Sequence, residues 1–128
     1  MDFNKNAKYV IGADLGGTNV RAAVVDRDGN IVGEGRAESK AMEGLAATVG
    51  QIALAINTAV ENSPATMADV AGVGMGVPGT VKSKEGRVMW SPNFLGWDGI
   101  QLAQPIVDQI GVPTLLGNDA NVAALGEC

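Results

Sequence analysis

The segment at residues 9–26, YVIGADLGGTNVRAAVVD, constrains the fold more than any other part of the chain. Its two apolar runs, residues 9–14 and 20–26, are rich in Val, Ile and small residues, a pattern that predicts two β-strands. Gly16, Gly17 and Thr18 stand between the runs, and glycine is frequent where a chain turns tightly. The sequence therefore predicts a β-hairpin with Asp14 at the end of its first strand.

An alternating order of elements follows this hairpin. Asp28 and Gly29 predict a type I′ turn, which leads into a third, antiparallel strand over residues 31–37. Apolar residues at spacings of three and four, beginning with Met42, predict a helix that ends before Pro64. The later predicted elements are a buried strand at 70–77, a short hairpin at 81–88, a short helix at 105–110, a strand at 114–116 and a helix from Asn121.

Three antiparallel strands followed by helix–strand units predict a mixed α/β domain whose later strands are parallel. The chain has 128 residues, the size of one domain with a substantial hydrophobic core. We therefore expect one domain over residues 1–128.

Composition argues against several kinds of function. Nine basic and 14 acidic residues give a net charge of −5, and we expect no nucleic-acid partner because nucleic-acid surfaces cluster Lys and Arg. The sequence contains no histidine, which leaves a carboxylate or a lysine as the candidate catalytic base. One cysteine, Cys128, fits a reducing cytoplasm. Residues 1–6 do not resemble a secretory leader, and no apolar run reaches about 18 residues, so we expect no membrane partner.

The predicted turn at Gly16, Gly17 and Thr18 is a candidate phosphate-binding site. Glycine lets the backbone approach a ligand closely, and successive N–H groups in such a turn form an anion-binding concavity. Asp14 would repel a bare phosphate but suits a hydrated Mg²⁺ ion between the two. The alternative is an ordinary glycine-rich hairpin with a solvated aspartate.

Asn118 and Asp119 form a second candidate site, at the end of the last predicted strand. Polar residues at the carboxyl end of a parallel strand face the crevice in which α/β sheets bind ligands. An aspartate there can accept the proton of a sugar hydroxyl that attacks phosphorus, and an asparagine can bind a neighbouring hydroxyl. The alternative is a helix N-cap, a position that Asp and Asn also favour.

A third segment, GVGMGVPGTV, has the G-x-G-x-x-G spelling of a dinucleotide-binding turn. Pro78 lies inside it and a hairpin rather than a helix follows, so NAD binding is not expected. Gly79 instead predicts a turn beside the ligand crevice. In the following loop, SPNFLGWDG, Asn93 could reach a polyol, while Phe94, Leu95 and Trp97 are expected to anchor the loop in the core.

Four motifs in order, IGADLGGTNVRAAVVD, GVGMGVPGTV, SPNFLGW and LLGNDANVAALGE, resemble the N-terminal half of the ROK sugar kinases, especially glucokinases. The resemblance implies an actin-like (ribonuclease-H-like) ATPase half-domain and ATP- and Mg²⁺-dependent phosphorylation of a hexose, above all glucose. By position, it assigns the first phosphate motif to Asp14, Gly16, Gly17 and Thr18. It assigns sugar contacts to Gly79, Asn93, Asn118 and Asp119, with Asp119 as the general base.

Members of that family are longer than this chain, and the predicted last helix has no stop signal before Cys128. We therefore expect a truncated N-terminal domain that is inactive alone, and a homo-oligomer. One alternative is a non-catalytic sugar-binding or assembly module. Another is the sugar-sensing part of a ROK repressor, which the acidic charge and the eight residues before Tyr9 disfavour. Chaperone-like members of the actin-like class rank lower, because they have no need of the Asn118–Asp119 pair.

Overall fold

Five strands form the main sheet of the protein, and they carry the candidate phosphate turn. The computed structural model describes residues 7–92, 94 and 96–117. The strands of this sheet are β1 Tyr9–Leu15, β2 Asn19–Asp26, β3 Ile31–Glu38, β4 Val70–Gly76 and β8 Thr114–Gly117. Their order across the sheet is β3-β2-β1-β4-β8. β1, β2 and β3 are antiparallel neighbours, whereas β4 runs parallel to both β1 and β8. The predicted mixed sheet with parallel later strands is confirmed.

Helix α1, Leu45–Glu61, covers one face of this sheet. Its buried residues recur at helical spacing and include Val49, Ile52, Ile56 and Val60, which pack into the same core as Ile11 and Val24. The helix was predicted to include Met42, and this is wrong. Met42 lies in a short 3₁₀ helix and is 80% exposed, because Gly44, with φ of +96°, interrupts the chain before α1 begins.

The turn between β2 and β3 also differs from the prediction. The Gly29 amide donates to the Asp26 carbonyl at 3.1 Å, and the Asp26 amide donates to the Asn30 carbonyl at 3.0 Å. Gly29 has φ of +85° but Asp28 does not have a positive φ, so the connection is a type I turn with a glycine bulge rather than a type I′ turn. The Asp26 carboxylate stabilises it by accepting the amides of Asp28 and Asn30, both at 2.9 Å.

A second, three-stranded sheet follows β4. It consists of β5 Thr80–Lys82, β6 Arg87–Trp90 and β7 Ile100–Gln101, all antiparallel. The predicted hairpin is confirmed, whereas β7 was not predicted because two residues are too few to show a pattern. Phe94 and Trp97 stack at a centroid distance of 4.2 Å and are buried. These two aromatic rings anchor the loop, as predicted, while Leu95, which was predicted to do the same, lies outside the described residues.

Helix α2, Ala103–Ile110, returns the chain to the main sheet and is followed by Gly111 as its C-cap, whose φ is +72°. Pro105 lies in its first turn, where the missing amide costs little. The predicted helix from Asn121 lies outside the described residues. Among residues 7–117 as described, no helix has the length and apolar character that crossing a membrane would need.

Replacing Gly35 by alanine should destabilise the fold, because helix α1 lies directly against this part of β3. A Cβ built on Gly35 would overlap the Ala55 carbonyl oxygen and lie 2.6 Å from the Ala59 amide nitrogen. Both are backbone atoms, so the helix must shift, and overpacking of this kind costs about 1–3 kcal/mol. We expect Gly35→Ala to lower the free energy of unfolding by roughly 2 kcal/mol, measured by urea denaturation.

Gly12→Ala is the matched control for this prediction. Gly12 lies in β1 of the same sheet, and a Cβ built there meets no atom within 4 Å. The urea midpoint of Gly12→Ala should stay close to that of the wild type. Equal midpoints for the two variants would contradict the close packing of α1 on β3.

Candidate functional site

The carboxyl ends of three strands meet at one edge of the main sheet. Asp14 near the end of β1 pairs with Gly76 at the end of β4, and Gly76 pairs with Gly117 at the end of β8. Adjacent strands are about 4.8 Å apart, so the Cα atoms of Asp14 and Gly117 are separated by about 10 Å. Asp14 is exposed. This edge is therefore the place where a ligand could contact Asp14 and the end of β8 at the same time.

The turn that joins β1 to β2 presents free donors at this edge. It is closed by the Gly16 amide, which donates to the Asn19 carbonyl at 2.9 Å. Gly17 and Thr18 are exposed, and within the described part of the chain no hydrogen bond uses their amides or the Thr18 hydroxyl. Two neighbouring amides and a hydroxyl can together donate hydrogen bonds to an anionic oxygen. The structure thus brings the predicted residues Gly17 and Thr18 together with Asp14 on one hairpin.

Two residues that the sequence reasoning missed support this turn. Ser39 donates its hydroxyl to the Gly16 carbonyl at 2.6 Å and its amide to the Thr18 carbonyl at 2.9 Å. Thr48, in the first turn of α1, donates its hydroxyl to the Ser39 carbonyl at 2.8 Å. Both side chains are fully buried. Ser39 stands between the charged residues Glu38 and Lys40, so the sequence gives no signal for it, whereas Thr48 is a polar residue beside Val49 in the predicted helix.

Gly79 lies between β4 of the main sheet and β5 of the small sheet. Its φ is +110°, and a Cβ built on it would overlap the Trp90 carbonyl oxygen, so glycine is required for both reasons. The neighbouring Ser91 is buried, and its hydroxyl has no hydrogen-bond partner among the residues described. The predicted turn at Gly79 is confirmed, while its contact with a sugar stays a prediction.

Three of the predicted site residues, Asn93, Asn118 and Asp119, lie outside the described residues. The sequence places Asn118 and Asp119 directly after Gly117, the last residue of β8. Their roles as sugar contacts and, for Asp119, as the general base therefore stay predictions.

Charged groups away from this edge have structural roles. Glu85 lies within 3.7 Å of both Lys82 and Arg87 on the small sheet, where all three side chains are about half exposed.

The Thr66 amide and hydroxyl both donate to the Asp69 carboxylate, and these hydrogen bonds lower the pKa of Asp69 below its usual value. This capping box precedes β4, at the opposite end of the strand from Gly76, so it stabilises the start of the strand rather than a ligand site.

The described residues suit a nucleotide phosphate with its magnesium ion. The open amides of Gly17 and Thr18 could hold phosphate oxygens, and the exposed Asp14 carboxylate could hold the ion. No cluster of three or more Asp, Glu, His or Cys side chains occurs among the residues that the structure describes. Mg²⁺ characteristically binds through one or two carboxylates, waters and substrate phosphates, so a single carboxylate beside a phosphate turn fits it.

The strand order, the mixed sheet and the glycine hairpin define an actin-like ATPase half-domain, and structural neighbours of this chain share that fold. The sequence profile of the ROK family matches residues 10–128. The chain belongs to the ROK family.

Relatives of this chain include both kinases and repressors. Over 118 residues it is 34% identical to a glucokinase of Thermotoga maritima, covering 92% of this chain and 36% of that protein. Over 127 residues it is 29% identical to a xylose repressor of Caldicellulosiruptor bescii, covering 99% of this chain and 32% of the repressor. The chain thus spans about a third of the length of these relatives.

A solved relative supports the same fold. The ROK family glucokinase of Streptomyces griseus, in complex with glucose and AMPPNP, superposes with a TM-score of 0.78 at 34% identity. The match covers 93% of this chain and 36% of that one. The similarity is to a protein that holds a sugar and an ATP analogue together.

Proposed function

We propose that this chain is the N-terminal part of an ATP-dependent hexose kinase that converts glucose to glucose 6-phosphate. The observation that carries the proposal is the hairpin between β1 and β2. It offers unpaired amides at Gly17 and Thr18 beside the exposed carboxylate of Asp14, at the sheet edge where β4 and β8 also end. The similarity to glucokinases, one of them bound to glucose and AMPPNP, supports it.

Each residue has a defined part in this proposal. The amides of Gly17 and Thr18 bind the nucleotide phosphates, and Asp14 orients the hydrated magnesium ion that neutralises their charge. Gly79, Asn93 and Asn118 contact the sugar hydroxyls.

Asp119 is the general base in this proposal. Its carboxylate accepts the proton of the 6-hydroxyl while that oxygen forms a bond to the γ-phosphorus. The bond from the γ-phosphorus to the bridging oxygen breaks, and ADP leaves.

A second candidate function is the sugar-sensing domain of a repressor. The observation that favours it is the match to the xylose repressor, which extends over 99% of this chain. A domain that only senses sugar needs Gly79, Asn93 and Asn118 but has no need of a phosphate-binding turn. The same holds for a non-catalytic sugar-binding or assembly module, which also has no need of a phosphate-binding turn. Nucleotide binding at the hairpin therefore separates the kinase from both alternatives.

Titration of the ¹⁵N-labelled chain with Mg²⁺–AMPPNP and with glucose tests the proposal. We expect nucleotide-dependent shifts of the Gly17 and Thr18 amides at millimolar concentrations, because the exposed hairpin supplies only one wall of a site. Shifts with glucose alone, and none with nucleotide, would favour the sugar-sensing function.

Turnover requires a complete enzyme, for which we define a fusion. In it, residues 1–128 replace the matching 36% of the Thermotoga maritima glucokinase. The proposal predicts glucose-dependent ADP production by this fusion enzyme. A folded fusion that binds glucose without producing ADP would contradict the kinase function.

Replacing Asp14 by alanine in the fusion enzyme should impair the use of magnesium. If Asp14 orients the hydrated ion, the concentration of Mg²⁺ that gives half-maximal rate should rise and kcat should fall, while the glucose affinity should change little. The measurement is the rate as a function of Mg²⁺ at saturating ATP and glucose. Asp28→Ala, at the exposed tip of the next hairpin, is the control. An unchanged Mg²⁺ dependence in Asp14→Ala would exclude the metal role.

A further inference from the structure

Two buried hydroxyl groups connect the phosphate turn to helix α1. The Ser39 hydroxyl donates to the Gly16 carbonyl at 2.6 Å, and the Thr48 hydroxyl donates to the Ser39 carbonyl at 2.8 Å. Each side chain is 0% exposed. Buried hydroxyls in proteins are hydrogen-bonded, and removing one partner leaves the other group unsatisfied. The two residues thus form a continuous path from the helix to the turn.

The bond from Ser39 fixes the orientation of one particular peptide group. The Gly16 carbonyl and the Gly17 amide belong to the same planar, trans peptide unit, so they point in opposite directions. Holding the Gly16 carbonyl toward the buried Ser39 therefore directs the Gly17 N–H away from it. Without a Cβ on either side, this peptide unit has little steric resistance to rotation. Ser39 supplies the constraint that the glycines lack.

The backbone next to Ser39 is held in an unfavourable conformation. Lys40 has φ of 53° and ψ of 45°, and it is the non-glycine residue with a positive φ in the described part of the chain. A residue with a Cβ disfavours this region, and such conformations persist where the surroundings enforce them. The Thr48 hydroxyl lies 3.3 Å from the Lys40 carbonyl as well as near that of Ser39. Thr48 therefore stabilises the bend that places Ser39 behind the turn.

We propose that Ser39 is a positioning residue for nucleotide phosphate, and that Thr48 holds it in place. Ser39 fixes the peptide unit between Gly16 and Gly17 so that the Gly17 amide is already oriented for a phosphate oxygen. This inference rests on the proposed function, because it assumes that the turn binds phosphate. A preoriented donor binds more tightly, since less ordering remains to be done on binding.

The experiment is a titration of the 128-residue, ¹⁵N-labelled chain with Mg²⁺–tripolyphosphate, followed at the Gly17 amide. Ser39→Ala should weaken binding on the order of 2- to 10-fold, the range that one hydrogen bond typically contributes. Thr48→Val, which keeps the shape and removes the hydroxyl, should weaken it in the same direction. Thr48→Ser should restore it. Thr58→Val is the matched control, because its hydroxyl lies in the same helix but donates to the Leu54 carbonyl, and binding should be unchanged.

Amide hydrogen exchange is a second measurement, and it distinguishes loosening of the turn from a loss of global stability. The Gly16 and Ser39 amides report on the turn through their bonds to Asn19 and Thr18, and the Val73 amide, bonded to Pro113 at 2.8 Å, reports on the core. In Ser39→Ala and Thr48→Val, exchange of the two turn amides should accelerate relative to that of Val73. Equal acceleration at all three sites would show a general stability effect and overturn the positioning role.

The outcomes separate this inference from the proposed function. If the wild-type chain binds tripolyphosphate and both Ser39→Ala and Thr48→Val bind it equally well, the positioning role is wrong and the kinase proposal stands. If the wild-type chain does not bind tripolyphosphate, both are overturned.

Discussion

Replacing Asp119 by asparagine in the fusion enzyme should lower kcat by on the order of 10²–10⁴-fold, the usual contribution of a general base. Asparagine keeps the size and much of the hydrogen-bonding capacity of aspartate, but it cannot accept the proton of the attacking hydroxyl. The KM for glucose should change much less than kcat, because the loss is confined to the transition state. The measurement is a coupled assay of ADP production over a range of glucose concentrations.

A matched substitution controls for general effects of this change. Asp108 is exposed on α2 and accepts a hydrogen bond from Gln104 at 2.8 Å, so Asp108→Asn makes the same chemical change away from the candidate site. It should leave kcat near the wild-type value. If Asp119→Asn also kept a near-normal kcat, the general-base role would be excluded and the alternative of a helix N-cap would be favoured.

The 128-residue chain alone should show no detectable glucose phosphorylation. Phosphoryl transfer depends on positioning and on stabilisation of charge, and the chain spans about a third of the glucokinases it resembles. The described edge of the main sheet supplies one wall of a site, formed by Asp14, the β1–β2 turn and Gly79. Small ligands bind well when most of their surface is buried, so one wall should give poor affinity and leave the base in water.

A coupled assay on the purified chain, compared with the fusion enzyme at the same concentration, measures this difference. We expect ADP production above background in the fusion only. Robust glucose-dependent ADP production by the chain alone, abolished in Asp119→Ala, would show that one wall suffices for catalysis.

Local patterns predicted most of the elements of this fold. The apolar runs of β1, β2 and β4 and the helical spacing from Leu45 to Val60 are signals that need no distant partner. The glycines between β1 and β2 likewise identified the turn. The errors occurred where neighbouring residues changed a local preference. Gly44, which has a positive φ, separates Met42 from α1. The Asp26 carboxylate accepts the amides of Asp28 and Asn30 and so stabilises the turn that contains Gly29.

The sequence by itself determined the order of the five main-sheet strands and of the two helices among the described residues, the candidate residues in the hairpin and, through four ordered motifs, the family. Only the tertiary structure decided which strand ends meet, since the pairing of Asp14 with Gly76 and of Gly76 with Gly117 joins segments far apart in the chain. The support of the turn by Ser39, 23 residues from Gly16, and the close approach of α1 to Gly35 are of the same kind. Such contacts depend on how whole elements pack, so a local sequence pattern does not identify a contact partner that is distant in the chain.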